Sequence, residues 1–204
     1  MCVRRCSKCL GFSLIPLALG CIAANILLFF PNADSEPAES NGLSHFVWFF
    51  HGIIGAGIVM FLPATFFIVA TKEDVCGCCE RNSCHNRCPL LSSILVALIG
   101  IVGSGYCVIV SVLGLLQGPK CNSDGSLEYP FENDNGNYLT NYTYWNDKCK
   151  SPKNVVLWNV TLFSILLLFS GIQAIICFLQ IINVIIGAMC GPCSRGQAYN
   201  INKA

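Results

Sequence analysis

The chain has 204 residues, 54% of them hydrophobic and only 11% charged, with a mean hydropathy of +0.60 and a formal net charge of +1. That balance supplies no basic stripe for a nucleic acid, and the length leaves room for one compact bundle and little else. The charges are also segregated: none falls between Lys8 and Asp34, Glu39 and Lys72, Arg87 and Lys120, or Lys153 and Arg195.

Each charge-free stretch exceeds the ~20 apolar residues that carry a helix across a hydrocarbon core about 30 Å thick. The expected fold is an all-α membrane protein: a four-helix transmembrane bundle, read as a single domain over residues 1–204. Arg4, Arg5 and Lys8 lead into the first span, 10–30, which is too long for a signal-peptide core and reads as a signal anchor. The other spans are 46–70, 90–117 and 158–189, with outer loops 31–45 and 118–157 and an inner loop 71–89. Pro16 and Pro63 are expected to kink spans 1 and 2. The last charge-free stretch is too long to cross upright, so span 4 should tilt or project beyond the membrane.

Lys and Arg residues set the orientation. The N-terminal tail, the inner loop and the C-terminal tail hold eight, against four on the other side, all of them in the long loop 118–157. The positive-inside rule then puts both termini in the cytoplasm. The sequons at Asn141 and Asn159 and the belt residues Trp48, Trp145 and Trp158 all fall on the side this rule places outside. Asn141 sits well inside its loop and is the expected glycan site; Asn159, at the start of span 4, is the less accessible of the two.

Fifteen cysteines divide by location. Cys121 and Cys149 lie outside in an oxidising compartment with no rival partner, so a disulfide is the default and two free thiols the alternative. Closing that loop contributes about 3.5 kcal/mol in the chain-entropy account. Ten more sit at the cytoplasmic edge: Cys2, Cys6, Cys9, Cys76, Cys78, Cys79, Cys84, Cys88, Cys190 and Cys193. In a reducing cytosol they are candidates for S-palmitoylation. The rival reading is zinc held by Cys76, Cys78, Cys79, Cys84 and Cys88 with His85, although their spacing is not that of a paired knuckle. Cys21, Cys107 and Cys177, inside spans, read as small packing residues.

Within the spans, Asn25, His51, Gln173, Gln180 and Asn183 are the polar exceptions. Such groups usually hydrogen-bond between helices, and the alternative is a substrate or ion path. Gln173 and Gln180, seven residues apart, share one face. Gly52, Gly55, Ala56 and Gly57 in span 2, and Ala97, Gly100, Gly103, Ser104 and Gly105 in span 3, allow close backbone approach. No span holds an Asp, Glu, Lys or Arg, so the usual proton relay or voltage sensor is missing. Nor does the sequence hold a hydrolase, nucleotide-binding or zinc-protease motif, and no cofactor or catalytic residue is assigned.

Several motifs go together. Span 1 ends Ile22-Ala-Ala-Asn-Ile-Leu-Leu-Phe-Phe-Pro-Asn32 and span 2 opens Phe46-Val-Trp-Phe-Phe50. The inner loop carries Cys76-Gly-Cys-Cys79. Span 3 holds Gly103-Ser-Gly-Tyr-Cys-Val-Ile-Val110, followed by Gly118-Pro-Lys-Cys121, and span 4 begins Trp158-Asn-Val-Thr-Leu-Phe-Ser-Ile-Leu166. In these features the chain resembles the transmembrane 4 L six family, relatives of the L-six tumour antigen, from about Met1 to Cys193. It departs from true tetraspanins, whose large outer loop carries Cys-Cys-Gly and at least four cysteines, and from claudins, whose long loop joins spans 1 and 2. The resemblance implies a non-enzymatic protein of the plasma membrane or of endosomal and lysosomal membranes. Such a protein associates laterally with adhesion receptors and other membrane proteins and affects motility, proliferation and trafficking. Membrane lipids and a second copy of the chain are further expected neighbours; nucleic acid is not.

Overall fold

The computed structural model describes residues 2–30, 50–69, 88–122, 127–131, 137–139, 145, 149 and 154–201. Four long helices account for most of them: α1 (Cys2–Leu28), α2 (His51–Val69), α3 (Cys88–Gln117) and α4 (Val155–Ile201). Their apolar portions have 23, 19, 27 and 33 residues. At 1.5 Å per residue these are about 34, 28, 40 and 50 Å long, each within or above the ~17–25 residues that span a ~30 Å core. The chain is a four-pass membrane protein.

Successive helices run in opposite directions. One end of the bundle gathers Leu28, His51, Gln117 and Val155 and carries the only disulfide among the described residues; it is called the disulfide end below. The opposite, N-terminal end gathers Cys6, Val69, Leu91 and Gly187.

The packing follows sequence spacing. On α3, Ser93, Ala97, Gly100, Ser104, Cys107, Ser111 and Gly114 recur at alternating steps of four and three and are all buried. On α4, Phe163, Leu166, Ser170, Gln173, Cys177, Gln180 and Val184 recur at steps of three and four and are also buried. A 3.5-residue period keeps one stripe facing its neighbour, and small residues on that stripe let the backbones approach, which is what packs helices in lipid. The core has two layers. Cys21, Ala24, Leu28, Ala56, Cys107, Leu162, Phe163 and Leu166 fill the disulfide half. Leu14, Ala18, Met60, Ala64, Phe67, Ala97, Ile176 and Cys177 fill the other.

Two features depart from the spans drawn on the sequence. Helix α2 is not regular: Ile54–Ile58 form a π-helical turn, in which the Val59 N–H reaches back five residues to the Ile54 carbonyl. Helix α4 begins three residues before Trp158 and continues to Ile201, 47 residues or about 70 Å, well past the end of its apolar part at Gly187. Pro16 and Pro63 both lie inside helices, Pro63 buried and Pro16 exposed. Between α3 and α4, two short strands, β1 (Cys121–Asn122) and β2 (Leu127–Glu128), pair antiparallel with Cys121 opposite Glu128.

Candidate functional site: helix faces and the disulfide-closed loop

At the N-terminal end, one polar cluster ties four helices together. The Gln180 side-chain N–H of α4 donates to Ser7 Oγ of α1 at 2.8 Å and to Ser93 Oγ of α3 at 3.3 Å. Ser7 Oγ donates in turn to the Phe67 carbonyl of α2 (3.4 Å), and Asn183 Nδ2 donates to Gln180 Oε1 (3.4 Å). Gln180, Ser7 and Ser93 are buried. Each hydrogen bond across helices in lipid contributes roughly 0.6 kcal/mol on average. The spacing of Gln173 and Gln180 was legible in the sequence; Ser7 and Ser93 were missed. Their signal was positional: Ser93 opens the small-residue stripe of α3, and Ser7 lies one heptad before Leu14 on the buried face of α1.

One layer further in, Gln173 Nε2 donates to the Ala56 carbonyl inside the π-helical turn of α2 at 2.9 Å. Asn25 is fully buried, and neither of its amide atoms has a hydrogen-bond partner among the described residues. His51, also buried, stacks on Phe163 with ring centres 5.6 Å apart and planes within 5°.

The glycines read as contact points separate into two groups. A Cβ on Gly52 would lie 2.7 Å from Asn25 Cβ and 2.9 Å from the Cys21 carbonyl; one on Gly100 would lie 2.7 Å from Cys177 Sγ. Gly55 and Gly103 face each other across α2 and α3, each Cβ position being 2.7 Å from the other's carbonyl oxygen. Gly105, in contrast, meets nothing within 4 Å, and neither does Gly171.

The disulfide end has its own small core. Cys121 and Cys149 are joined, with Cα atoms 5.7 Å apart, and are buried with Phe131, Tyr138, Val155 and Val156. Gly118, at φ +75°, turns the chain out of α3 into this cap. There Tyr138 donates its hydroxyl to the Leu115 carbonyl, one of the last-turn carbonyls that an α-helix leaves without an internal partner. Trp145 Nε1 donates to the Tyr138 carbonyl at 2.7 Å, and Phe131 packs on the Tyr138 ring. Trp158 Nε1 reaches the Leu27 carbonyl at 2.9 Å, joining α4 to the end of α1. Asn159 is buried in the first turns of α4.

The outward faces are apolar. Phe12, Leu19, Ile58, Leu62, Leu95, Val102, Ile109, Leu168, Ile175 and Phe178 are all exposed, and apart from Lys8 near the start of α1 none of the spans carries a charge. Cys6 and Cys9 are exposed near the start of α1, while Cys21, Cys107 and Cys177 are buried. Cys76, Cys78, Cys79, Cys84, His85 and Asn141 lie outside the described residues, as do the side chains of Cys2, Cys88, Cys190 and Cys193. Among the described residues no three His, Cys, Asp or Glu side chains gather in a way that could hold a metal ion.

Four antiparallel apolar helices, interior amides bonded between helices and one disulfide-closed loop define a tetraspan membrane protein. The comparisons with known proteins agree. The model of a family described as L6 membrane protein matches residues 1–194. Transmembrane 4 L6 family member 1 of Homo sapiens is 52% identical over 202 residues, 98% of this chain and 100% of that protein. Member 4 of Mus musculus is 45% identical over 95% of this chain and 94% of its own, and member 5 of Homo sapiens 42% identical over 97% and 98%. The chain belongs to the L6 membrane protein family. No solved structure matches it.

Proposed function

We propose that the protein is a non-enzymatic tetraspan scaffold that associates laterally with other membrane proteins, adhesion receptors among them, and so affects adhesion, motility or trafficking. One observation carries the reading: the polar side chains of Gln173 and Gln180 are engaged between helices, whereas the surface offered to the membrane is apolar and uncharged. A surface of that kind suits neighbours embedded in the same bilayer. In this reading both termini are cytoplasmic, the disulfide end faces out, and the protein resides at the plasma membrane, with endosomal or lysosomal membranes as the other sites. Asn141 carries a glycan. Cys6 and Cys9, exposed beside the bundle, are acylated together with others of the cytoplasmic group.

The second reading is a transporter, channel or small-molecule sensor. The buried, unpartnered amide of Asn25 favours it, because a binding group needs hydrogen-bonding capacity to spare. Two measurements separate the readings. Proximity labelling in intact membranes should return a reproducible set of membrane-protein neighbours, largely kept by Gln180→Leu. Reconstituted protein should pass no solute. Flux that Asn25→Leu or Gln180→Leu abolishes, without a stable neighbour set, would replace the scaffold with the transporter.

A further inference from the structure

The unsatisfied and strained features of the bundle converge on one segment. Phe50, immediately before α2, holds a left-handed backbone at φ 47°, a conformation a bulky residue rarely adopts. Ile54–Ile58 form the π-helical turn. Asn25, with both amide atoms unpartnered, packs against Gly52, and Gln173 Oε1, at the π-turn, is likewise buried without a partner among the described residues. π-turns occur mostly as single turns inside α-helices and frequently at functional sites. Orphaned buried amides persist only where surrounding structure enforces them.

The π-turn determines which residue meets α1. It absorbs one extra residue, so every residue before it sits one helical position further along than in a continuous α-helix, a rotation of about 100° and a rise of 1.5 Å. With the turn in place, Gly52 fills the contact with Asn25, the Cys21 carbonyl and Leu166, where even a Cβ would lie within 2.9 Å of all three. Were the turn to relax while Val59–Val69 stayed fixed, Ile53 would take that position and Gly52 would take that of His51. His51 would leave its stack on Phe163, and the Ile53 side chain would wedge α1 from α4.

We propose that His51–Ile58 is a register switch with two discrete states, held in the present one by the Gln173–Ala56 hydrogen bond. The present state is closed at the disulfide end. The other is a continuous α-helix with Ile53 at the α1 contact and the disulfide end parted. Packed cores are bistable rather than continuously deformable, and a single amide from α4 on a π-turn carbonyl is a latch whose loss shifts the balance without touching the helix ends. The inference does not depend on the identity of any lateral partner.

The test uses the full chain in lipid nanodiscs. Deleting Ala56 removes the extra residue and leaves Gly52 at its contact in a regular helix, which fixes the closed register. Hydrogen exchange of the amides from His51 to Val59 should then slow by at least about tenfold relative to wild type. Gln173→Leu should speed it about threefold or more, in proportion to one interhelical hydrogen bond in lipid. Register is also read directly. In a chain carrying Asn25→Cys and Ile53→Cys, mild oxidation should join positions 25 and 53, a bridge that requires Cβ atoms about 4 Å apart. Adding the Ala56 deletion should abolish it. Exchange unaltered by the deletion overturns the proposal. So does the absence of a 25–53 bridge in peptide maps of the correctly folded double-cysteine chain, which decides the matter if the deletion chain does not assemble.

Discussion

Replacing Gly55 by Ala tests the reasoning about helix contacts most sharply. An added Cβ would sit 2.7 Å from the Gly103 carbonyl oxygen, a backbone atom that cannot swing aside. Reaching ordinary contact near 3.4 Å needs a shift of some 0.7 Å between α2 and α3. Overpacking of this kind costs about 1–3 kcal/mol. Gly105→Ala provides the opposite case two residues from that contact: its Cβ meets nothing within 4 Å, so only the gain in helix propensity remains, up to about 1 kcal/mol. The propensity gain is common to both, so the two variants should differ by the contact cost of about 1–3 kcal/mol, or roughly 2–12 °C in Tm for a chain of this size. Thermal unfolding of the purified proteins in one detergent, followed by tryptophan fluorescence, measures it. The double variant Gly55→Ala with Gly103→Ala adds a sharper condition: both push apart the same pair of backbones, so the pair should cost less than the sum of the singles. Equal midpoints for Gly55→Ala and Gly105→Ala would refute the contact argument, and strict additivity in the double variant would show that the glycines do not share one interface.

Cys121→Ser and Cys149→Ser should each lower stability by about 3–4 kcal/mol in the chain-entropy account, and by the same amount as each other, because either opens the same loop; unequal losses in matched non-reducing melts would count against it. Burial pushes the Tyr138 phenol up from 10 to about 12. The folded protein therefore keeps this proton where the unfolded chain releases it: the contribution is intact below pH 10 and is lost between pH 10 and 12, at up to ~1.4 kcal/mol per pH unit. Tyr138→Phe should flatten that part of the stability–pH curve and, at neutral pH, lose about 1 kcal/mol with the Leu115 bond; an unchanged alkaline slope would show that another group titrates. Asn141→Gln should remove most of the glycosidase-sensitive mass seen on gels, and an unaltered shift would assign the glycan to Asn159.

The four spans were legible because lipid imposes a composition, not merely a preference: a charge within the core is expensive enough that its absence alone marks each crossing. The small-residue positions were legible for a related reason, since Gly52, Gly55, Gly100 and Gly103 sit where even a Cβ would collide with a neighbouring helix. Orientation around the helix was harder to read. Gly105 lies in the same run as Gly103 yet faces open space, and only the tertiary arrangement tells the two apart. The π-turn left no mark, because Gly55-Ala56-Gly57 suits a regular transmembrane helix equally well. The cap over α3 escaped notice too. Tyr138 and Trp145 act through contacts 23 and 7 residues away, to the Leu115 and Tyr138 carbonyls, and nothing local announces either partner.

The cluster around Gln180 also constrains how the protein can be made. Its hydrogen bonds to Ser7 and Ser93 link residues 173 and 87 positions apart, and α4 is joined by them to α1 and α3. Likewise Gly20 of α1 rests against Phe169. Until α4 has left the ribosome and been inserted, Ser7 and Ser93 lack their amide donor and the inward face of α1 lacks the neighbours that α4 supplies. Helices that are each stable in lipid can wait and then associate, so native packing here is a closing step rather than a progressive one. A chain truncated before Phe178 should insert, span the bilayer and yet display unpaired interior groups. That gives membrane quality control a simple sign that the polypeptide is incomplete.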